Sequence, residues 1–435
     1  MKHAVVVLAA MLGAGAVQAA DLLEIYRDAT LSDTKFASAR MQLEAGREKY
    51  PQARAGLLPT LTLSGSSTYN HVNATLPAER EYAFNSNTYT LQLVQPLFRW
   101  QNWVALRQGE LQVGLAEAQY AAAQMDLMLR SAQAYFDLLN AQDVLNTVTQ
   151  LKTAAGEQQQ LSKKSFEVGT VTVTDVNDAQ SRFDLASAQE IAAQNDVNVK
   201  REALRVLINK EPPELARLRQ GMSLAQPLPA DVEAWAQAAV KDNLDVQAQQ
   251  IAREIAAREV ERNRAGHLPT VDAVGTYSRN HSGNGSNNTP SQSRNWTVGV
   301  QASLPLFQGG ATQSKVRESA ALSEKSKEDL ETVKRAASQL ARQSYLGVTS
   351  GVAQVKGYEA AVLSSTSSLE SNKLGYQVGV KINKDVLDAQ SQLADAAQKL
   401  AKARYDTIMA QVKLKQSVGV LSIKDLEEVN ALLDR

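Results

Sequence analysis

The 435-residue chain contains no cysteine and few aromatic residues. Without cysteine, it can have no disulfide, thiolate metal ligand, cysteine nucleophile or lipid-modified N-terminal cysteine. Its 46 basic and 46 acidic residues balance, which argues against a general nucleic-acid binder. Aromatic residues make up 5% of the chain, although hydrophobic residues make up 44%. The apolar content is therefore mainly aliphatic, which suits long helices better than a thick aromatic core.

The N-terminus carries a long run of apolar and small residues. After a short basic start, this run covers residues 4–17, and Val17-Gln18-Ala19 offers the small residues that a signal peptidase reads. We predict a secretory signal peptide over residues 1–19, cleaved after Ala19 or Ala20. The alternative is a membrane anchor, but the run is too short for the roughly 20 residues of a span. The rest of the sequence predicts no transmembrane helix.

An internal duplication is the strongest pattern in the chain. Residues 166–181 (FEVGTVTVTDVNDAQS) return as residues 376–391 (YQVGVKINKDVLDAQS), at an offset of 210. The other repeated motifs are Leu58-Pro59-Thr60 with Leu268-Pro269-Thr270, and Pro96-Leu97-Phe98 with Pro305-Leu306-Phe307. Two tandem copies of one large unit are too few for a solenoid, so the duplication predicts pseudo-symmetry within a larger assembly.

The duplication and the prolines set the predicted domain boundaries. A linker rich in proline, at residues 211–230, separates the repeats in what would be an equatorial region. The first repeat is predicted at 20–210, with a strand pair at about 57–98 and a helical hairpin at 102–210. The second repeat is predicted at 231–420, with a strand pair at about 268–307 and a helical hairpin at 310–418. A C-terminal tail follows at 421–435.

Long proline-free stretches indicate long helices. No proline occurs from residue 97 to 211 or after residue 305, and a proline inside a helix costs about 3 kcal/mol. In the first stretch, apolar residues recur at spacings of three, four and seven; they are Leu127, Ala134, Leu138, Ala141, Leu145 and Val148. A helix over residues 103–167 would be roughly 100 Å long, a length suited to a tube that crosses the periplasm.

Four runs alternate apolar and polar residues and predict strands with one apolar and one wet face. The alternating apolar positions are Leu61 and Leu63; Tyr89, Leu91 and Leu93; Val271, Ala273, Gly275 and Tyr277; and Trp296, Val298, Val300, Ala302 and Leu304. Four strands cannot close a membrane barrel, because open edges in lipid leave backbone groups unpaired. Either the strands lie outside a membrane, or several chains share one barrel, and three chains would give 12 strands.

A soluble periplasmic coiled-coil protein with two incidental hairpins remains the alternative. Aromatic residues near the strand ends favour the membrane, since they are typical of the lipid–water boundary; they are Phe98, Trp100, Trp103, Trp296 and Phe307.

Taken together, the duplicated motifs in this order resemble the TolC family of outer-membrane efflux and type I secretion channels. The resemblance covers nearly the whole mature chain. It implies a mixed α and transmembrane β fold. In that fold, a homotrimer with four strands per chain forms a 12-stranded barrel in outer-membrane lipid, continuous with a long periplasmic α-helical barrel. It also implies a passive exit duct served by a periplasmic adaptor and an inner-membrane pump of the ABC or RND type.

The family's functional residues map onto the two repeated turns. Val168-Gly169-Thr170 and Val378-Gly379-Val380 interrupt the long helices and are helix C-caps in any reading; the resemblance adds that such tips dock adaptors. Asp385 and Asp388 follow the second tip, share a helix face, and would form two constriction rings in a trimer. Without the resemblance, the sequence favours a simpler interpretation, in which these acids complement a helix dipole.

The resemblance also implies a latch that holds the tip closed. Tyr376 and Lys381 of the second hairpin would be the donors, and Thr174 and Asp175 of the first hairpin the acceptors. Lys164 stands where a glutamine can serve as partner, and Lys381 where arginine is common. Since lysine cannot form arginine's bidentate fork, we expect a similar layout with weaker geometry.

No catalytic constellation, cofactor motif or metal-binding spacing is found, and no phosphate loop drives transport. The leading hypothesis is therefore a trimeric, non-enzymatic outer-membrane channel without cofactors. The alternative is a periplasmic coiled-coil adaptor or scaffold of an export system, although no lipoyl-like β-module is found. The cargo, which could be a protein or a drug, cannot be read from the sequence.

Overall fold

The computed structural model describes residues 19–75, 79–219, 221–283 and 289–434. Nearly all of the predicted signal peptide lies outside these residues. The helices are α1 Leu22–Ser32, α2 Thr34–Arg47, α3 Lys49–Ala55, α4 Trp100–Glu167, α5 Val173–Ile208, α6 Val232–Asp242, α7 Leu244–Arg264, α8 Ala311–Gln377, α9 Asn383–Ser417 and α10 Ile423–Asn430. The strands are β1 Thr60–Ala74, β2 Arg80–Phe98, β3 Thr270–Ser282 and β4 Ser291–Ser303, and a 3₁₀ turn covers Ala265–His267.

Each proline-free stretch contains two long helices. The first stretch forms α4 (68 residues) and α5 (36 residues), and the second forms α8 (67 residues) and α9 (35 residues). Both pairs are interrupted at the repeated glycine turns, where Gly169 and Gly379 have φ values of 77° and 79°. Among the described residues, no helix combines the length and the apolar character needed to cross a membrane.

The chain divides into two compact units, and each draws on both sequence repeats. Of the residues that the structure describes, those within 1–38, 122–243 and 335–435 form the first unit, and those within 39–121 and 244–334 form the second. The helix turns of interest lie in the first unit, and all four strands lie in the second.

A small aromatic cluster fills the core of the first unit. Tyr135, Phe136 and Tyr405 are buried, and the Phe136 and Tyr405 ring centroids lie 5.8 Å apart. The Tyr405 hydroxyl donates to Asp143 Oδ2 at 2.7 Å, and the Tyr135 hydroxyl donates to the Ala216 carbonyl at 2.8 Å. Burial raises the pKa of both phenols, so both stay protonated as donors. Tyr135 thereby fixes the inter-repeat linker against α4.

An arginine fork anchors the junction of α1 and α2 to α4. Arg130 Nη1 and Nη2 donate to the two carboxylate oxygens of Asp33 at 2.8 and 3.0 Å. Arg130 Nε also donates to Asp126 at 2.8 Å, and Lys35 reaches the same Asp126 oxygen at 2.9 Å. Asp33 is 8% exposed, so its charge depends on these partners. The Arg130 hydrogen bonds hold the pKa of Asp33 below its ordinary value.

The second unit contains one four-stranded antiparallel sheet in the order β1-β2-β3-β4. Each strand pairs with its sequence neighbour, including β2 with β3, which belong to different repeats. Within the described residues, β1 and β4 each have a single neighbour, so both outer edges of the sheet present unpaired backbone groups. A bulge between Pro96 and Phe98 shifts the β2–β3 register, since proline cannot donate to the ladder.

The register places most of the large, exposed apolar side chains of the four strands on one face. Leu93 lies opposite Leu61 on β1 and Gly275 on β3, and Gly275 lies opposite Val298 on β4. Because side chains alternate between faces, the residues two positions away share this face. Its large apolar members are Leu61, Leu63, Tyr69, Tyr89, Leu91, Leu93, Tyr277, Trp296, Val298 and Val300, and each is at least 39% exposed. The other face carries mainly Thr, Ser and Gln, although Val94 and Val274 also lie opposite each other there.

Candidate functional site

The first helix turn is built from a glycine C-cap and a complete N-terminal capping box. The Gly169 amide donates to the Phe166 carbonyl at 2.9 Å, and the Thr170 amide donates to the Ser165 carbonyl at 2.9 Å. Thr172 then caps α5: its hydroxyl accepts from the Asp175 amide at 3.2 Å, and Asp175 accepts from the Thr172 amide at 2.9 Å. The reciprocal bonds satisfy backbone donors that a helix start leaves free.

The second turn has the same C-cap but a poorer start of the next helix. The Val380 amide donates to the Gly375 carbonyl at 2.9 Å. Ile382 occupies the N-cap position of α9 with extended backbone (φ −96°, ψ 162°). Its side chain has no acceptor, so only the Asp385 carboxylate acts here, accepting from the Ile382 amide at 3.4 Å. The duplication thus preserved the turn and lost half of the capping box.

Restoring that half is expected to stabilise the second turn. In Ile382→Thr, the new hydroxyl would accept from an amide in the first turn of α9, as Thr172 does in α5, with a gain of about 1 kcal/mol. Amide hydrogen exchange around residues 383–388 should slow in the variant. The matched change Thr172→Val should speed exchange at the start of α5. Equal exchange rates in Ile382→Thr and wild type would contradict this account of the cap.

The predicted docking residues are exposed on both turns. Val168, Val378 and Val380 are 75%, 65% and 78% exposed, and Ile382 beside them is 59% exposed. Isolated exposed apolar residues are common, but here they cluster at two turns of the same unit. These turns therefore offer apolar contact points to a partner.

The two predicted constriction carboxylates lie in the first two turns of α9, and both are paired with cations. Asp385 is 3.7 Å from Lys381 Nζ. Asp388 accepts from Arg182 Nη2 of α5 at 2.5 Å and lies 3.4 Å from Lys384 Nζ. The sequence prediction did not include Arg182, which is 206 positions from Asp388.

The predicted latch residues all lie at the two turns, but the chain does not join them into one network. Asp175 is engaged in capping α5, and Lys381, in the turn before α9, pairs with Asp385 of α9. Within the described ranges, the side chains of Tyr376, Thr174 and Lys164 form no hydrogen bond or ion pair. The latch therefore stays a prediction, and a network that joins these latch residues would have to form between copies of the chain.

A buried polar layer beside the turns was missed by sequence reasoning. Asn383 Nδ2 donates to Ser162 Oγ at 2.8 Å, and both residues are at most 2% exposed. Gln158 Nε2, Asn383 Oδ1 and Gln390 Oε1 are buried without a partner among the described residues. Each unpaired buried group costs about 1–3 kcal/mol, so α9 packs less favourably here than in the aliphatic part of the core. The sequence signal was Asn383, which replaces the Val173 of the first repeat.

Two kinds of comparison bear on the whole chain. The sequence matches the family described as "Outer membrane efflux protein" over residues 25–210 and 235–420. These two stretches start 210 residues apart, which is the offset of the repeated motifs.

The chain belongs to the outer membrane efflux protein family.

Individual relatives agree with this assignment. Outer membrane protein TolC of Vibrio cholerae is 35% identical over 418 residues, covering 96% of this chain and 94% of that protein. Alkaline protease secretion protein AprF of Pseudomonas aeruginosa is 34% identical over 420 residues, covering 94% of this chain and 86% of that protein. Among solved structures, the Campylobacter jejuni CmeC outer membrane channel superposes with a TM-score of 0.81 at 18% identity, covering 95% of this chain and 90% of that one.

Membership confirms four predictions made from the sequence. They are the resemblance to TolC, the TolC-like fold class, the role as an outer-membrane exit duct, and the location in the outer membrane. Those predictions were what the resemblance carried by the duplicated motifs implied. The alternating runs had indicated separately that, if the strands lie in a membrane, several chains share one barrel.

Proposed function

We propose that the chain is a passive, non-enzymatic exit duct that works as a homotrimer in tripartite export, in type I protein secretion, multidrug efflux or both. A periplasmic adaptor docks at the apolar turns, and an inner-membrane pump of the ABC or RND type supplies the energy. The rings formed by Asp385 and Asp388, three copies of each, line the periplasmic constriction.

The four-stranded sheet carries this proposal. It has an apolar, exposed face and an opposite polar face, and its outer strands β1 and β4 each lack a second neighbour in the described chain. Lipid contains no water that could satisfy those edges, so a membrane sheet has to close. Pairing β4 of one copy with β1 of the next closes a barrel of 12 strands from three copies. That number of strands leaves room for a water-filled bore.

Type I secretion and efflux place the same demands on the duct. AprF is named for alkaline protease secretion, and the family is named for efflux. Selection of cargo would lie with the pump, because the duct offers the solute only a bore and a constriction. The partners are therefore an adaptor with a surface complementary to the turns, the pump and outer-membrane lipid.

Reconstitution tests the duct. Purified protein should run as a trimer in detergent and produce discrete single-channel currents in planar bilayers. Deletion of the gene should sensitise cells to drugs or block secretion of a protease, and the plasmid-borne gene should restore the lost function. A stable, water-soluble monomer that never conducts would instead support the alternative of a periplasmic adaptor or scaffold.

The proposed latch gives a conductance prediction. Tyr376→Phe combined with Lys381→Ser removes a hydroxyl donor and a cation from the second turn, so contacts between hairpins of neighbouring copies should weaken. We expect single-channel conductance to rise several-fold in the double variant, since a polar contact is worth about 1 kcal/mol and each trimer loses three sets of contacts. Tyr358→Phe, a tyrosine change on the same helix α8 and away from the turn, is the control. Unchanged conductance in the double variant would exclude this latch.

A further inference from the structure

Asp388, one of the two carboxylates assigned to the constriction, is paired with cationic side chains. Asp388 lies between two cations: Arg182 Nη2 at 2.5 Å and Lys384 Nζ at 3.4 Å. Asp385 likewise has Lys381 within 3.7 Å. Three basic side chains thus lie beside two acidic ones. Arg182 is on α5, Lys384 is on α9 and Lys381 is in the turn before α9.

The first repeat provides an internal comparison. Asp175 and Asp178 are the counterparts of Asp385 and Asp388, but Val171 and Thr174 stand in place of the two lysines. Gln392 is the counterpart of Arg182 in the second repeat. The basic residues therefore surround only the pair of carboxylates assigned to the constriction, and shared ancestry of the repeats does not account for them.

Stability does not account for these pairs either. The Arg182 and Asp388 side chains are 38% and 37% exposed, and an ion pair at that exposure contributes little to the free energy of unfolding. Its main consequence is electrostatic. A ring of bare carboxylates attracts cations, whereas a carboxylate with two cations within 4 Å presents little net negative charge to an ion that passes beyond them.

We propose that Arg182 is a residue that determines the ion selectivity of this duct, because it neutralises Asp388 at the constriction. The proposal rests on the trimeric duct proposed above and deepens it. With Arg182 and Lys384 in place, the constriction discriminates little between small cations and anions, and anionic solutes or acidic stretches of a polypeptide pass without a repulsive ring. The duct is adapted to cargo of either charge.

Reversal potentials of the reconstituted trimer in a KCl gradient test the assignment. The wild type should show a K⁺/Cl⁻ permeability ratio within about twofold of unity. Arg182→Gln should raise this ratio about fivefold, the Boltzmann factor for the loss of one positive unit charge about 4 Å from an ion in water. Lys384→Gln should raise the permeability ratio by a smaller factor. This variant provides a second measurement of the ratio if Arg182→Gln assembles poorly.

Two matched variants locate the effect. Arg182→Gln combined with Asp388→Asn should return the ratio to the wild-type value, since charge and countercharge are removed together. Arg205→Gln, also on α5, removes an exposed arginine that pairs with Glu202 at 3.2 Å and should leave the ratio unchanged. A conducting Arg182→Gln channel with the wild-type ratio, or a strongly cation-selective wild type, would overturn the role of Arg182. Absence of any conductance from the wild type would overturn the duct itself, and this inference with it.

Discussion

Arginine at Val298 is expected to prevent assembly in the outer membrane, whereas arginine at the adjacent Thr297 is expected to be tolerated. Val298 lies near the middle of β4, is 78% exposed, and shares the apolar face with Leu93 through Gly275. A cation on the lipid face of a membrane barrel costs about 2–4 kcal/mol at the midplane. Thr297 points to the opposite face, which would line the aqueous bore.

The amount of trimer in the outer-membrane fraction measures this difference. Since each trimer carries three substitutions, Val298→Arg should reduce membrane-inserted trimer at least tenfold. Thr297→Arg should reduce it less than twofold and should alter channel conductance instead. Equal loss in both variants, or normal assembly of Val298→Arg, would show that this face does not meet lipid.

Removing Arg130 is expected to give the largest loss of stability in the helical unit. Arg130→Gln would leave the carboxylate of Asp33, which is 8% exposed, without its bidentate partner. Charged hydrogen bonds of this kind are worth about 1.5–3 kcal/mol, so the apparent melting temperature should fall by about 5 °C. Lys402→Gln breaks an exposed pair with Asp406 and should change it by less than about 1 °C.

The pH dependence of this effect has a defined sign. Arg130 lowers the pKa of Asp33 in the folded chain below its ordinary value of 3.8. A carboxyl group with a depressed folded-state pKa contributes its stability fully above the unfolded-state value, and loses it as the pH falls through the folded-state value. The melting-temperature gap between wild type and Arg130→Gln should therefore be constant near neutral pH and narrow below pH 3.8. A gap that widens in acid would contradict this role for Asp33.

Local patterns in the sequence were sufficient to predict the main elements. Proline-free stretches predicted the long helices because proline removes a donor and clashes with the preceding turn. Gly169 and Gly379 predicted the breaks because both need a positive φ. Alternation predicted where the strands lie, although β1 continues to Ala74 through polar residues that show no clear apolar alternation. Ladder hydrogen bonds to β2 hold that part of the strand in register.

Local sequence patterns did not predict the contacts between helices that are distant in the sequence. Arg182 and Asp388 meet only because particular faces of α5 and α9 pack together, and one sequence does not specify which faces meet. The same holds for Asp33 with Arg130 and for Tyr405 with Asp143. The prediction of Asp385 and Asp388 as constriction rings came from a motif, and a motif does not show which side chains another helix places beside it.

Because the outer edges of β1 and β4 are unpaired in the described chain, the sheet can be completed only during assembly with other copies. A newly exported copy cannot complete its own strand ladder, so the last hydrogen bonds of folding form only when copies collide. Their rate should rise steeply with the local concentration of the chain. During that wait, the edges of β1 and β4 are templates for misplaced pairing, and periplasmic chaperones that shield strand edges should therefore limit the yield of finished ducts at low expression.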